Sequence, residues 1–171
     1  MTITTFTGGS VETNGFLLET TDGVLVIDAP EGIAEALRDR GLTPRALLLT
    51  HQHFDHVEDA REIARMGAPI YAYADYSHDL ILDEEAQRWG LPITVEPFEV
   101  DHLLKDQKTL EIAGLRFDLL HVPGHSPDGL VFSLPDAGAA FTGDTIFAGS
   151  IGRPDLPGGD YSLLLKGCLL Y

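Results

Sequence analysis

Three things are scarce in this chain, and each shortage removes a class of protein. Cys168 is the one cysteine in 171 residues, so no disulfide framework can hold the fold and a buried core must do so. Lysine and arginine total 11 against 27 aspartates and glutamates, a formal net charge of -16. That balance repels phosphate backbones and argues against nucleic acid as a partner, the more so because the basic residues do not cluster. Apolar runs are short, none near the ~20 residues that cross a bilayer, so no membrane span is expected. The start, Met1-Thr2-Ile3-Thr4-Thr5, lacks the basic residues and apolar stretch of a secretory leader, and the expected setting is cytoplasmic. What is present is a 44% hydrophobic chain of a length that suits one domain, residues 1–171, able to bury a sizeable core.

Against this background the histidines stand out. Thr50-His51-Gln52-His53-Phe54-Asp55-His56 packs imidazoles and a carboxylate into one short stretch directly after Ala46-Leu47-Leu48-Leu49, an apolar run with the length of a buried strand. The donors therefore sit at a strand's C-terminal end. His51 and His53, two apart in extended chain, point the same way and can grip one ion, while Asp55 and His56 fall in the turn and can reach a second ion or a bound water. The plain alternative is a solvated His-rich loop, but a lone pair of histidines would carry that reading better than this density of donors does.

Around the cluster the periodicity alternates between strand and helix. Gly8-Gly9 breaks an alternating opening, and Gly15 to Thr20 and Val24 to Asp28 read as strands joined by a Thr21-Asp22-Gly23 turn, a meander. The spacing predicts helices over Glu31 to Arg40, Val57 to Met66 and Asp75 to Trp89, the last with Gly90-Leu91-Pro92 as its exit, and a strand over Pro69 to Tyr73. From Thr109 onward the pattern is β: Thr109 to Ile112, Leu115 to Leu119, Leu130 to Leu134 and Ala139 to Thr142. Two of these strands run out into His121-Val122-Pro123-Gly124-His125-Ser126-Pro127 and Gly143-Asp144-Thr145, repeating the logic of the first cluster. Ile151 to Gly159 reads as a Pro/Gly loop, and Asp160 can cap a helix through Lys166. The order implies a layered α/β domain.

With HxHxDH at 51 to 56, PGHS carrying His125 and GD carrying Asp144, the chain resembles the metallo-β-lactamase superfamily of metallohydrolases, a four-layer αββα fold. The strings Phe141 to Phe147 and Ser150 to Asp160 look most like its glyoxalase II-like hydrolases. The resemblance implies that His51, His53 and His125 hold one metal, that Asp55 and His56 hold a second, and that Asp144 bridges both. Zinc is the implied metal, with iron or manganese accepted by the same donors. It also implies hydrolysis of a thioester or small ester by metal-activated hydroxide, with Asp55 as the catalytic residue that orients the hydroxide and shuttles its proton. The family usually supplies a last histidine to the second metal, yet none of the seven histidines lies beyond His125. A final strand and helix, and the helical domain that helps glyoxalase II hold glutathione, also have no counterpart, so the chain reads as C-terminally shortened. The second ion is accordingly expected to bind weakly or to need water, the absent tail or a neighbouring chain, and an uncovered edge would invite a second copy of the protein.

Other readings of the same residues stay open at this point. A persulfide dioxygenase of the same fold, with one iron on two histidines and an aspartate, would fit a missing second site and the Gly152-Arg153-Pro154-Asp155 string. A nuclease is disfavoured by the acidic balance, and a truncated domain could bind metal without turnover. Asp28, at a strand end on the same edge, is either a partner to a ligating imidazole or a turn residue. His121 reads as a strand-end residue, His78 and His102 as surface residues, Cys168 as a packing residue, and Arg153 as either an anion contact or a solvated side chain.

Overall fold

The computed structural model describes residues 1–91 and 93–170. Strands β1 (Thr2–Gly8), β2 (Thr13–Thr20) and β3 (Gly23–Ile27) form the expected antiparallel meander. Helix α1 (Ile33–Asp39) returns the chain so that β4 (Pro44–Leu48) lies parallel to β3. Helices α2 (Phe54–Val57) and α3 (Ala60–Arg65) lead to β5 (Ile70–Ala72), and α4 (His78–Ile81) and α5 (Asp83–Arg88) lead to β6 (His102–Leu103), completing a six-stranded sheet ordered β1 to β6. A second, antiparallel sheet follows, β10-β9-β8-β7, from β7 (Thr109–Ile112), β8 (Leu115–His121), β9 (Leu130–Leu134) and β10 (Ala139–Phe141). A small ribbon of β11 (Ile146–Phe147) and β12 (Ser150–Ile151) precedes helix α6 (Tyr161–Leu170).

Strands β3 and β4 explain the layering. Val24 and Val26, with Leu47 and Leu49, pack toward Ile33, Leu37 and Ile63 of the helices, whereas Leu25, Ile27, Ala46 and Leu48 pack toward Phe117, Leu119, Leu130 and Phe132 of the second sheet. Alternate residues thus face different partners, and a strand apolar on both faces is what a central strand between two layers needs. Each such leucine or isoleucine contributes roughly 1.5–3 kcal/mol by its removal from water. Helix α6 docks by the buried Leu164 and by Gly167, where an added Cβ would lie 2.2 Å from Val122 Cγ1.

Tertiary hydrogen bonds redraw several boundaries that periodicity alone predicts. The helix expected over 57–66 is broken into α2 and α3 because the His56 carbonyl accepts from Ala29 N at 2.8 Å and Asp59 N donates to Ala29 O at 2.9 Å, both taken from the helical ladder. The helix expected over 75–89 starts late, since Gln52 Nε2 donates to the carbonyls of Ala74 and Asp75 at 3.0 and 3.2 Å and holds them extended. It then breaks at Leu82, which is left-handed at φ 59, so that Ile81 and Leu82 both reach the core. The predicted exit at Pro92 lies outside the described residues. Strand β6 and the β11–β12 ribbon are too short to give a period, and the ribbon occupies part of the expected loop. Asp160 does cap α6, its Oδ1 accepting from Leu163 N at 2.9 Å, and the helix continues beyond Lys166 to Leu170.

Candidate metal centre

The three loops flagged by sequence converge at one end of the paired sheets. The backbone of Thr50 is tied to the second sheet by Leu130 N donating to Thr50 O at 2.7 Å, and this brings the loop after β4 against the loop after β8. His51, His53, His56 and His125 are all buried at 3–5% exposure, which for four imidazoles in one place demands a compensating partner. The ring centroids of His51, His53 and His125 lie 4.5–5.0 Å apart. One ring nitrogen from each comes within 4.8 Å of the other two, and a second group of the same tightness joins His51, His56 and Asp144.

Hydrogen bonds fix which nitrogen is available. His125 Nδ1 donates to Arg153 O at 2.9 Å, and His56 Nδ1 donates to Asp28 Oδ2 at 2.9 Å. Thr50 Oγ1 donates to Asp28 Oδ2 at 2.7 Å, so at 3.1 Å it accepts from His51 Nδ1. In each case Nδ1 carries the hydrogen, and Nε2 is left with a lone pair. The Nε2 atoms of His51, His56 and His125 are buried without a hydrogen-bond partner. Orphaned acceptors of this kind, aimed into one space, fit a divalent ion of the size that imidazole binds at about 2.0–2.1 Å. Asp144 spans the two groups, with Oδ1 3.2 Å from His56 Nε2 and Oδ2 3.4 Å from His125 Nε2. Asp55 Oδ2 lies 3.4 Å from His56 Nε2 and accepts a short hydrogen bond from Thr13 Oγ1. Asp55 thus lies beside His56 at the edge of the second group.

The electrostatics agree. Burial pushes His51 well below the ordinary histidine value, and His56, His53 and His125 push it the same way. Burial and then His125 and His56 lower His53, against Asp144, and burial lowers His125. These rings stay neutral, the form that binds metal. For His56 burial is opposed and outweighed by Asp55, Asp28 and Asp144, which hold it well above the usual value. Carboxylate oxygens facing its Nε2 call for either a proton or a cation between them. Burial alone would raise Asp144, but the His56 imidazole 3.2 Å away, with His125 and His53, holds it low and ionised.

Two glycines make the approach of these loops feasible. Gly143 is left-handed at φ 49, and a Cβ there would meet Thr50 Oγ1 at 2.3 Å; a Cβ on Gly152 would sit 1.8 Å from Asp144 O. Of the residues left open by sequence, Asp28 is the anchor of the site, itself left-handed at φ 57. Arg153 serves through its carbonyl, while its guanidinium pairs with Asp155 at 2.7 and 2.9 Å and lies 5.4 Å over the Trp89 ring. His121 stacks on Tyr73 at 3.9 Å, His102 stacks on Tyr71, and His78 is exposed at the start of α4. Cys168 Sγ contacts Thr145 O at 3.5 Å. Sequence reasoning missed Thr13, Thr50 and the buried Asp128, which accepts from Ser126 Oγ. Thr50, directly ahead of the first histidine, was the one with a positional signal.

A family model for the metallo-beta-lactamase superfamily matches residues 8–166. The chain belongs to the metallo-β-lactamase superfamily. Its similar superfamily relatives include the probable metallo-hydrolase YqgX of Bacillus subtilis (strain 168), 34% identical over 164 residues that span 92% of this chain and 77% of that protein. The hydroxyacylglutathione hydrolase GloC of Haemophilus influenzae is 39% identical over 149 residues, covering 82% of this chain and 69% of GloC. Among solved structures, BLEG-1 B3 metallo-β-lactamase superposes with a TM-score of 0.84 at 34% identity, over 98% of this chain and 84% of that one. The di-iron-bound form of TTHA1623 superposes at 0.80 with 36% identity over the same shares, 98% and 84%. The superfamily fold binds divalent metals, and the His/Asp cluster stands where three loops of that fold meet.

Proposed function

We propose that this protein is a metal-dependent hydrolase of a thioester or small ester, with His51, His53 and His125 as ligands of one ion, His56 and Asp55 at a second, and Asp144 between them. The observation that carries the reading is the convergence of buried, unpartnered Nε2 atoms on a carboxylate whose two oxygens reach different histidines. Bound divalent ions would acidify water and polarise an acyl carbonyl. The protein's own part is positional. Asp28 and the Arg153 carbonyl hold the imidazoles in one tautomer and orientation, a role whose loss typically costs metal affinity. Thr13 fixes Asp55 at the mouth, where its remaining oxygen can accept a proton from an attacking water and pass it to the leaving group. Zinc suits imidazole and carboxylate donors, and iron or manganese suits them too; the di-iron relative supports that breadth.

The hydrolases among the relatives support hydrolysis over persulfide oxidation, as does a second group that keeps His51, His56 and Asp144 together. The reading carries a small-molecule substrate, no nucleic-acid partner and a cytoplasmic setting. Among the described residues no helix is long and apolar enough to cross a membrane. The test is elemental analysis of protein purified without added metal, followed by thioester hydrolysis and persulfide oxidation on the same sample. Hydrolysis that is lost with a chelator and restored by zinc, iron or manganese is expected. Oxygen uptake on persulfide without hydrolysis would overturn the proposal.

A further inference from the structure

The cavity at the metal centre has one wall that the chemistry does not use. It encloses about 390 Å³ beside Asp55, His56 and Asp144, room for a small ligand. Its outer lip comes from two places, the turn between β1 and β2 and the β11–β12 ribbon. Val11, Ile146 and Phe147 on that lip are each 46% exposed, and Phe16 and Phe141 behind them are packed edge to face at 5.0 Å. Large apolar side chains left in water together around an opening mark a surface made to be covered. The charge on the wall is equally one-sided. Glu12, Asp55 and Asp144 line the cavity, and among the described residues lining it there is no lysine or arginine. Asp55 and Asp144 face the histidine cluster and would be balanced there by cations, but Glu12 stands on the lip in a left-handed turn at φ 59 with no cationic side chain beside it among the described residues that line the same wall. Arg153, the arginine whose backbone touches the site, has its guanidinium committed to Asp155. The net charge of -16 extends the same bias beyond the cavity. Asn14 adds a neutral polar contact: its Oδ1 accepts from Thr7 Oγ1 at 2.7 Å, which leaves its amide nitrogen to donate to a carbonyl.

We propose that the substrate is a thioester or ester with an apolar acyl chain and an uncharged, amide-bearing leaving group, the chain lying against Val11 and Phe147 and Glu12 excluding anionic leaving groups such as glutathione. This rests on the hydrolase reading and narrows it. An anionic tripeptide thioester would place a carboxylate near Glu12 without a cation to receive it, whereas a short amide would meet Asn14 and leave Glu12 in water.

The experiment compares the metal-loaded protein on acetyl, butyryl and hexanoyl thioesters of N-acetylcysteamine and of glutathione, and in parallel measures by calorimetry the binding of the uncleavable S-hexyl thioethers of both. The expected kcat/KM is about tenfold higher for N-acetylcysteamine than for glutathione at equal acyl length, an effect of like charge that shrinks with salt. It should rise by about twofold for each methylene that reaches the half-exposed lip. Phe147→Ser should flatten the dependence on chain length, and Glu12→Lys should lift the glutathione thioesters toward the neutral ones. Equal or better use of glutathione thioesters would overturn the inference while leaving the hydrolase reading intact. Absence of all thioester hydrolysis would overturn the hydrolase reading, and calorimetry would then decide the cavity's preference: tighter binding of the neutral thioether supports it, and equal or weaker binding refutes it.

Discussion

The inner and outer walls of the cavity are built on opposite plans. At and behind the inner wall, which His56 lines with Asp55 and Asp144, four histidines are buried, and three of them are fixed by a hydrogen bond at the nitrogen that faces away from the cluster. On the outer wall Val11, Ile146 and Phe147 are nearly half exposed and hang from a turn and a two-residue-strand ribbon. The inner wall stands on strands that are apolar on both faces, so its geometry is set by the core. The outer wall is carried by a turn and a short ribbon rather than by core strands, so it can vary in shape and chemistry with less disturbance of the fold. Rigidity is concentrated where the reacting atoms must be placed, and tolerance where substrates are told apart.

That contrast can be broken most severely from the inner side. His125→Ala should remove a ligand of the first group and lower hydrolysis by about a thousandfold or more, as befits several kcal/mol of lost charge stabilisation, with metal content per chain falling in the same preparation. Asp28→Ala should be the next largest change, although Asp28 belongs to neither ligand group: it strips partners from Thr50 and His56. Metal affinity measured by chelator competition should drop about 10–100-fold, and unfolding free energy should drop by about 2–3 kcal/mol for the unpaired buried groups. Gly152→Ala tests the backbone approach itself. An added Cβ 1.8 Å from Asp144 O must displace that loop, at a cost of about 1–3 kcal/mol in denaturant unfolding together with weakened second-metal occupancy.

The smallest expected effect lies just outside the site. Burial, with Glu31, Asp55 and Asp59 nearby, raises half-buried Glu58 from 4.5 to about 7. The folded state therefore favours the protonated acid, and the stability this contributes is present in full below about pH 4.5 and lost as pH rises through about 7. Glu58→Gln, which keeps the neutral form at every pH, should match the wild type near pH 4 and exceed it by about 1 kcal/mol at pH 8, a figure reduced for solvent screening. Equal thermal stability of the two proteins across that range would show that Glu58 is solvated.

The contrast between walls also describes what could be read from the sequence. Fold and inner wall were legible, because a strand buried on both faces writes an unbroken apolar run, and donors of one chemistry at its end leave a dense local pattern. His51, His53, His56, His125 and Asp144 were each visible by type and spacing, and they meet in space. Thr13 carried no signal, since a hydroxyl in a hairpin is common and its bond to Asp55 spans 42 residues. The breaks at Asp59 and Leu82 were hidden for a related reason: they are imposed by Ala29 and by the core, not by local propensity. The apolar lip was half legible: Phe147, just after the Asp144 loop, reads from sequence as either a pocket wall or core, whereas Val11 belongs to a separate segment that only the folded chain brings to it.

The position of Asp28 has a consequence for how ions would load. One carboxylate holds His56 directly and His51 through Thr50, so filling either group would stiffen the imidazole that the other needs. Cooperative uptake is the expected result, and by thermodynamic reciprocity each ion would raise the affinity of its neighbour by the same factor. A zinc titration should then be steeper than that of independent sites, and Asp28→Asn should relax it toward a simple hyperbola.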